Sequence, residues 1–161
     1  VLARALVGNI VADVLHNARD VEKLRTDIAS MRKDMAAHKP PKGDLDVKLL
    51  PGGLVDMEFI IHRLQLETHD GLVPQLGTAI EALVAAGHLP ADFAKAYALF
   101  ARLLVMVRLI APDCATPPEA AQALIAHSLG YADWGALALA IRDYRGVVMG
   151  QWERLFGPRD F

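Results

Sequence analysis

A single cysteine, Cys114, in a chain of 161 residues removes two classes of chemistry at once. One thiol makes neither an internal disulfide nor a cysteine-based zinc site, and reducing cytoplasm is the simplest compartment for such a chain. Long hydrophobic runs are missing too. A membrane-spanning helix needs ~18 or more consecutive apolar residues, and the longest candidate, residues 97–110, is broken by Arg102 and Arg108. The opening stretch, residues 1–14, sets Arg4, Asn9 and Asp13 among its apolar positions, unlike a secretory signal. Its first residue is Val rather than Met, as in a piece of a longer chain. Charge of one sign is also in short supply. With 17 basic and 19 acidic residues the net charge is −2, which lacks the basic bias of a nucleic-acid binder. Neither nucleic acid nor a membrane is therefore expected as a partner. No internal repeat, low-complexity tract or βαβ alternation interrupts the pattern.

What remains is an apolar-rich chain, 53% hydrophobic, long enough to bury one sizeable core. Its apolar residues recur at helical spacing. Residues 2–17 carry Leu6, Ile10 and Val14 on one face. Asp20 is placed to cap a second helix, whose stripe is Val21, Leu24, Ile28, Met31 and Met35. Residues 39–43, Lys-Pro-Pro-Lys-Gly, end that helix and read as the one clear linker. Residues 46–50 alternate Val47 and Leu49 and read as a short extended lead-in, possible as a strand. A third helix over 54–68 is apolar on nearly all sides and should lie at the centre. A fourth follows over 78–86, ended by Gly87; a long fifth opens at Pro90 and stops before Pro112. Thr116-Pro-Pro-Glu119 has the letters of a capping box for a sixth helix, which stops at Gly130. Asp133 caps the last, with Trp134, Leu137, Ile141, Tyr144, Val148, Trp152 and Leu155 on one face. The expected fold is an all-α bundle of about seven helices. It forms a single domain over 1–161: N-terminal helices at 1–38, linker and loop at 39–53, main bundle at 54–161.

The most informative stretch runs from Asp46 to Leu66, DVKLLPGGLVDMEFIIHRLQL. Gly52 and Gly53 permit positive φ and close backbone approach, because no Cβ intervenes. The helix start that follows offers free N–H groups and the positive end of a dipole. Asp56 and Glu58 stand where acids complement that dipole, and Lys48 precedes the glycines. Lys48, Gly52, Gly53, Asp56 and Glu58 are thus candidates for one wall of a phosphate or nucleotide cleft. They serve equally for an architectural turn, in which the acids cap the helix and pair with an internal arginine or histidine.

Other chemistry is weaker. Glu58 and His62 are one turn apart, and His69 falls roughly on the same face. A hydrogen bond between Glu58 and His62 is the plainer account than a zinc site, and no metal ligand set is assigned. His16, His38, His88 and His127 sit near helix ends, where a ring suits exposed carbonyls. Cys114 has no partner base nearby and reads as inert. Arg102 and Arg108 read as snorkelled surface residues. Ser30 and Ser128 lie in helical stretches without a nucleophile elbow. Asp44 and Asp46 follow the Pro-Pro-Lys-Gly linker and read as solvated loop acids.

The segment MRKDM at 31–35, followed by DLDVKLLPGGLVDMEFIIHRLQL at 44–66, resembles the helical part of glutamine synthetase adenylyltransferases. Those enzymes carry MR-x-x-M and then D-[LIV]-K-x-x-PGG-[IL]-x-D-[IL]-EF-[ILV]-[ILV]-Q-x-x-x-L. The run Thr78, Leu83, Gly87, Leu89, Ala96, Tyr97 and Leu104 also follows the family pattern. Two positions depart from it: His62 stands for the usual Gln, and Met57 for Ile or Leu. Uridylyltransferases that modify the PII signal protein carry a similar module, but the MR-x-x-M lead-in favours the adenylyltransferases. The resemblance implies an enzyme that transfers AMP from ATP, with Mg²⁺, to a tyrosine of glutamine synthetase. A second site in its other half removes AMP by phosphorolysis, and the PII protein sets the balance. It also implies that the Gly-Ser turn and Asp-x-Asp pair of the chemistry lie in an upstream nucleotidyltransferase domain. Asp44 and Asp46 match that pair in letters only. The chain would then be a C-terminal helical domain, inactive alone and holding no cofactor, with Lys48, Gly52, Gly53, Asp56 and Glu58 at the domain seam. The alternative is a regulatory module that binds a partner protein and never touches nucleotide.

Overall fold

A computed structural model describes residues 2–159. Seven helices account for it: α1 (Leu2–His16), α2 (Val21–His38), α3 (Leu54–Thr68), α4 (Leu76–Ala85), α5 (Ala91–Ile110), α6 (Glu119–Ser128) and α7 (Trp134–Phe156). No strand occurs among the described residues. The expected all-α class and helix number hold.

Helix α3 occupies the centre and packs against α2, α4, α5 and α7. Met57, Ile60, Ile61 and Leu64 supply its buried surface. The most extensive pairing is α5 with α7. On α5, Phe93, Ala96, Phe100, Leu103 and Val107 recur every three or four residues and are buried. They meet Leu137, Ile141, Val148 and Trp152 of α7, the stripe the spacing predicts. Two aspartates start helices as expected. Asp20 accepts the Lys23 N–H at 3.0 Å, and Asp133 accepts that of Ala136 at 2.8 Å.

Four local expectations are corrected. Residues 46–50 are consecutive turns rather than an extended segment or strand. Asp46 causes this: its carbonyl accepts the N–H groups of Leu49 and Leu50, and its carboxylate accepts those of Leu49 and Lys42. Asp46 is consequently buried at 5% exposure, not a solvated loop acid, whereas Asp44 is exposed. The α2 stripe is rotated: Met31 is 57% exposed, Val21 also faces out, and Arg32 takes the buried place one turn after Ile28. Thr116 does not cap α6, which begins at Glu119 after Pro118 without a side-chain cap. Pro118 drives Pro117 out of the helical region, so the helix cannot begin early enough for the box to close.

Helix α1 stands apart. Leu6, Ile10 and Val14 do share a face, but each is half or more exposed, and α1 has no extended packing against any other helix. Among the described residues its ring contact pairs His16 with His69 at 5.3 Å between centroids. Leu109 of α5 and Leu124 of α6 are likewise exposed.

Truncation should separate the two kinds of apolar residue. Phe100→Ala, wholly buried, is expected to cost about 3–5 kcal/mol in urea unfolding. Leu109→Ala, 78% exposed, should stay within about 0.5 kcal/mol of the parent.

Candidate functional site

The turn before α3 is built around Asp56, in the first turn of that helix and 0% exposed. Arg32 of α2 donates from Nε to its Oδ1 at 2.6 Å. Arg159, beyond α7, donates from Nη2 to Oδ2 at 2.5 Å, and the Gly52 N–H donates to the same oxygen at 2.6 Å. Arg32 is 2% exposed and also donates to the Leu49 carbonyl at 3.0 Å. Arg145 of α7 holds the next carbonyl, donating from Nε to Pro51 O at 2.8 Å. The Arg159 guanidinium lies 4.7 Å over the Trp152 ring. Three arginines from distant parts of the chain thus grip one six-residue loop and the acid behind it.

The glycines serve the same closure. Gly52 has φ +76°, and a Cβ there would come within 2.5 Å of the Arg145 carbonyl oxygen. A Cβ on Gly53 would meet Val47 O at 2.4 Å. The close backbone approach that only glycine allows is an approach to this chain's own carbonyls. The helix start is similarly occupied: Leu54 N–H donates to Val47 O, Val55 N–H to Lys48 O, and Gly53 N–H to Leu50 O. The anion at the α3 N-terminus is the carboxylate of Asp56 itself.

The five residues singled out by sequence therefore divide. Gly52, Gly53 and Asp56 are buried inside the turn; Lys48 and Glu58 are exposed. Glu58 makes no hydrogen bond to His62 among the described residues, because both side chains point to solvent. Lys48 stands with Lys42 and Arg108 around a cavity of about 180 Å³, floored by Leu49, Leu104 and Cys114. None of the three cations has an ion pair among the described residues. Burial pushes the Cys114 thiol above its ordinary pKa, with Asp46 adding to the effect and Lys42 and Arg108 opposing it. That thiol is a poor nucleophile. Among the described residues no group of three or more His, Cys, Asp or Glu could hold a metal ion. Asp46 and Asp56, the buried acids, already have their oxygens engaged.

Sequence reasoning missed Arg32, Arg145 and Arg159. Arg32 left a signal, since it follows Ile28 at helical spacing and replaces an apolar residue there. Arg145 and Arg159 left none, because their partners are more than ninety residues away.

Comparison with curated proteins adds the decisive observation. The chain is 41% identical over 75% of its length to the bifunctional glutamine synthetase adenylyltransferase/adenylyl-removing enzyme of Rhizobium meliloti (strain 1021). Enzymes with the same name from Caulobacter vibrioides and Brucella suis are 34% and 30% identical over 91% of it. The chain belongs to the glutamine synthetase adenylyltransferase family. It spans only 14–17% of the length of these relatives, so it corresponds to one segment of such an enzyme. No family model and no solved structure matches it. Within the adenylyltransferase segment, the matched residues include the loop that the arginines grip.

Removing the central charge should expose the asymmetry among the candidates. Asp56→Asn removes the carboxylate that Arg32 and Arg159 share and is expected to cost about 3–5 kcal/mol in urea unfolding. Glu58→Gln should change stability by less than about 0.5 kcal/mol.

Proposed function

We propose that this chain is the helical domain of the C-terminal half of a glutamine synthetase adenylyltransferase, seated against an upstream nucleotidyltransferase domain. In the intact enzyme a tyrosine oxygen of glutamine synthetase attacks the α-phosphorus of ATP. The P–O bond to pyrophosphate breaks, and the tyrosine proton is lost to solvent. Mg²⁺ would be bound in the neighbouring domain rather than by residues of this chain, and would supply charge neutralisation at the phosphates. The other half removes AMP by phosphorolysis, the PII signal protein sets the balance, and the enzyme works in the cytoplasm.

Within that reading, this domain supplies positioned cations and a rigid edge. The observation that carries it is the division of the loop. Arg32, Arg145, Arg159 and Asp56 lock it from inside, while Lys48 is left outside beside Lys42 and Arg108 without an internal counter-charge. Asp56, Gly52 and Gly53 act as the joint; Lys48 meets phosphate oxygens, and Glu58 meets the neighbouring domain. A locked loop holds a cation at fixed distance from a phosphate, which favours transition-state over ground-state binding.

A second reading is supported by the uncovered apolar faces, including α1 with Leu6, Ile10 and Val14 exposed. In that reading the chain docks a partner protein and leaves nucleotide to other domains.

The separating experiment uses the intact enzyme carrying Lys48→Ala. Under the first reading AMP transfer falls by more than about tenfold while thermal unfolding stays unchanged. Full activity in the folded variant would reduce the loop to an interdomain joint and favour the docking reading. The isolated chain should transfer no AMP at any Mg²⁺ concentration; turnover proportional to its concentration would place the catalytic groups within it.

A further inference from the structure

A second concavity borders the loop. Asp44, Leu45 and Leu50 form with α7 a groove of about 330 Å³. The α7 residues along it are Trp134, Ala138, the adjacent Ile141 and Arg142, and Arg145, which lie within one another's three- and four-residue spacings and so share one face. From Trp134 to Arg145 that face is roughly 16 Å long, at 1.5 Å per residue. Its middle is apolar: Leu45 and Ile141 are each 6% exposed and make the floor. One end holds the half-buried indole of Trp134, and the other holds two guanidinium groups.

Arg145 is the telling residue. It is half-buried, its Nε is spent on the Pro51 carbonyl, and it forms no ion pair among the described residues. Burial, with the Arg159 charge adding to it, holds its pKa below the ordinary arginine value; Asp56 and Asp44 oppose that. Asp56 is engaged by Arg32, Arg159 and Gly52. A desolvated guanidinium with one carbonyl partner keeps forked N–H donors suited to two oxygens of one anion. Arg142 lies three residues earlier on the same face; its side chain is 75% exposed and only 3.9 Å from Asp143 at the nearest approach. Two such groups side by side suit a dianion better than a single carboxylate.

We infer that this groove binds a nucleoside phosphate, with the phosphate on Arg142 and Arg145 and the base against Trp134 and Ile141. Asp44, exposed at the rim near the arginines, is placed to accept a sugar hydroxyl. The ring packs on an apolar floor next to an indole, which rewards a planar aromatic body over a bare anion. This site shares no residue with the Lys48 cavity. It therefore stands or falls independently of the role proposed for Lys48.

The test is a titration of this chain with ADP, followed by tryptophan fluorescence and by calorimetry. Of the two tryptophans, Trp152 is 1% exposed in the core and should not respond; Trp134 should be quenched. Saturable quenching is expected, lost in Trp134→Phe, with affinity reduced at least tenfold by Arg142→Gln and by Arg145→Lys. Arg142 is exposed and engages no backbone, so Arg142→Gln stays folded and decides the matter if Arg145→Lys loosens Pro51. Inorganic phosphate should bind far more weakly than ADP. Absence of saturable ADP binding in the millimolar range would overturn the inference. So would binding that Arg142→Gln leaves intact, or equal affinity for ADP and phosphate.

Discussion

One carboxylate organises this molecule. Asp56 is excluded from water, and an isolated charge in that position would cost several kcal/mol. It is tolerated because two guanidinium groups and a backbone N–H converge on its two oxygens. The partners come from α2, from the loop before α3 and from the segment after α7. Closing the network therefore fixes three distant stretches of chain against the central helix. The net stability of a buried ionic cluster is often no better than that of an apolar replacement. Its contribution here is geometric: Arg32 holds Leu49 O, Arg145 holds Pro51 O, and the turn between them has a single arrangement.

That arrangement explains why the outer surface of the loop is chemically distinctive. With the inner polar groups engaged internally, the charged side chains that line the cavities beside the loop are mostly cations. Lys42, Lys48 and Arg108 line one cavity; Arg142 and Arg145 line the other. A chain of net charge −2 thus presents two local positive concavities beside one rigid loop. The contrast with α1 is instructive. Its apolar face is exposed, and among the described residues its ring contact with the bundle joins His16 to His69. Rigidity belongs to the loop, and unpartnered apolar surface to the periphery.

Much of the fold was legible because helical period and caps are local signals. The α5 and α7 stripes, Asp20, Asp133 and the stop at Gly87 all follow from residues within a few positions of one another. The failures share a cause as well. Alternation at Val47 and Leu49 suggested extension, but a side chain–backbone competition by Asp46 turned the segment into consecutive turns. Met31 fitted the apolar stripe better than Arg32 in letters, yet the buried position belonged to the residue that Asp56 required. The glycine pair was correctly read as a place of close approach, and only the structure tells what approaches. Asp56 is buried, and its oxygens meet two arginines and its own helix start.

The most direct test of this account is a double-mutant cycle at Arg32 and Asp56, read by urea unfolding of the chain. Arg32→Met and Asp56→Leu should each be strongly destabilising, because each removes one half of a buried ion pair. The double variant should recover much of the loss, since Arg159 is 13% exposed and can turn toward water. The account predicts a coupling of about 2 kcal/mol or more between the two positions. Simple additivity, with the double variant losing the sum of the single effects, would contradict the claim that this pair organises the loop.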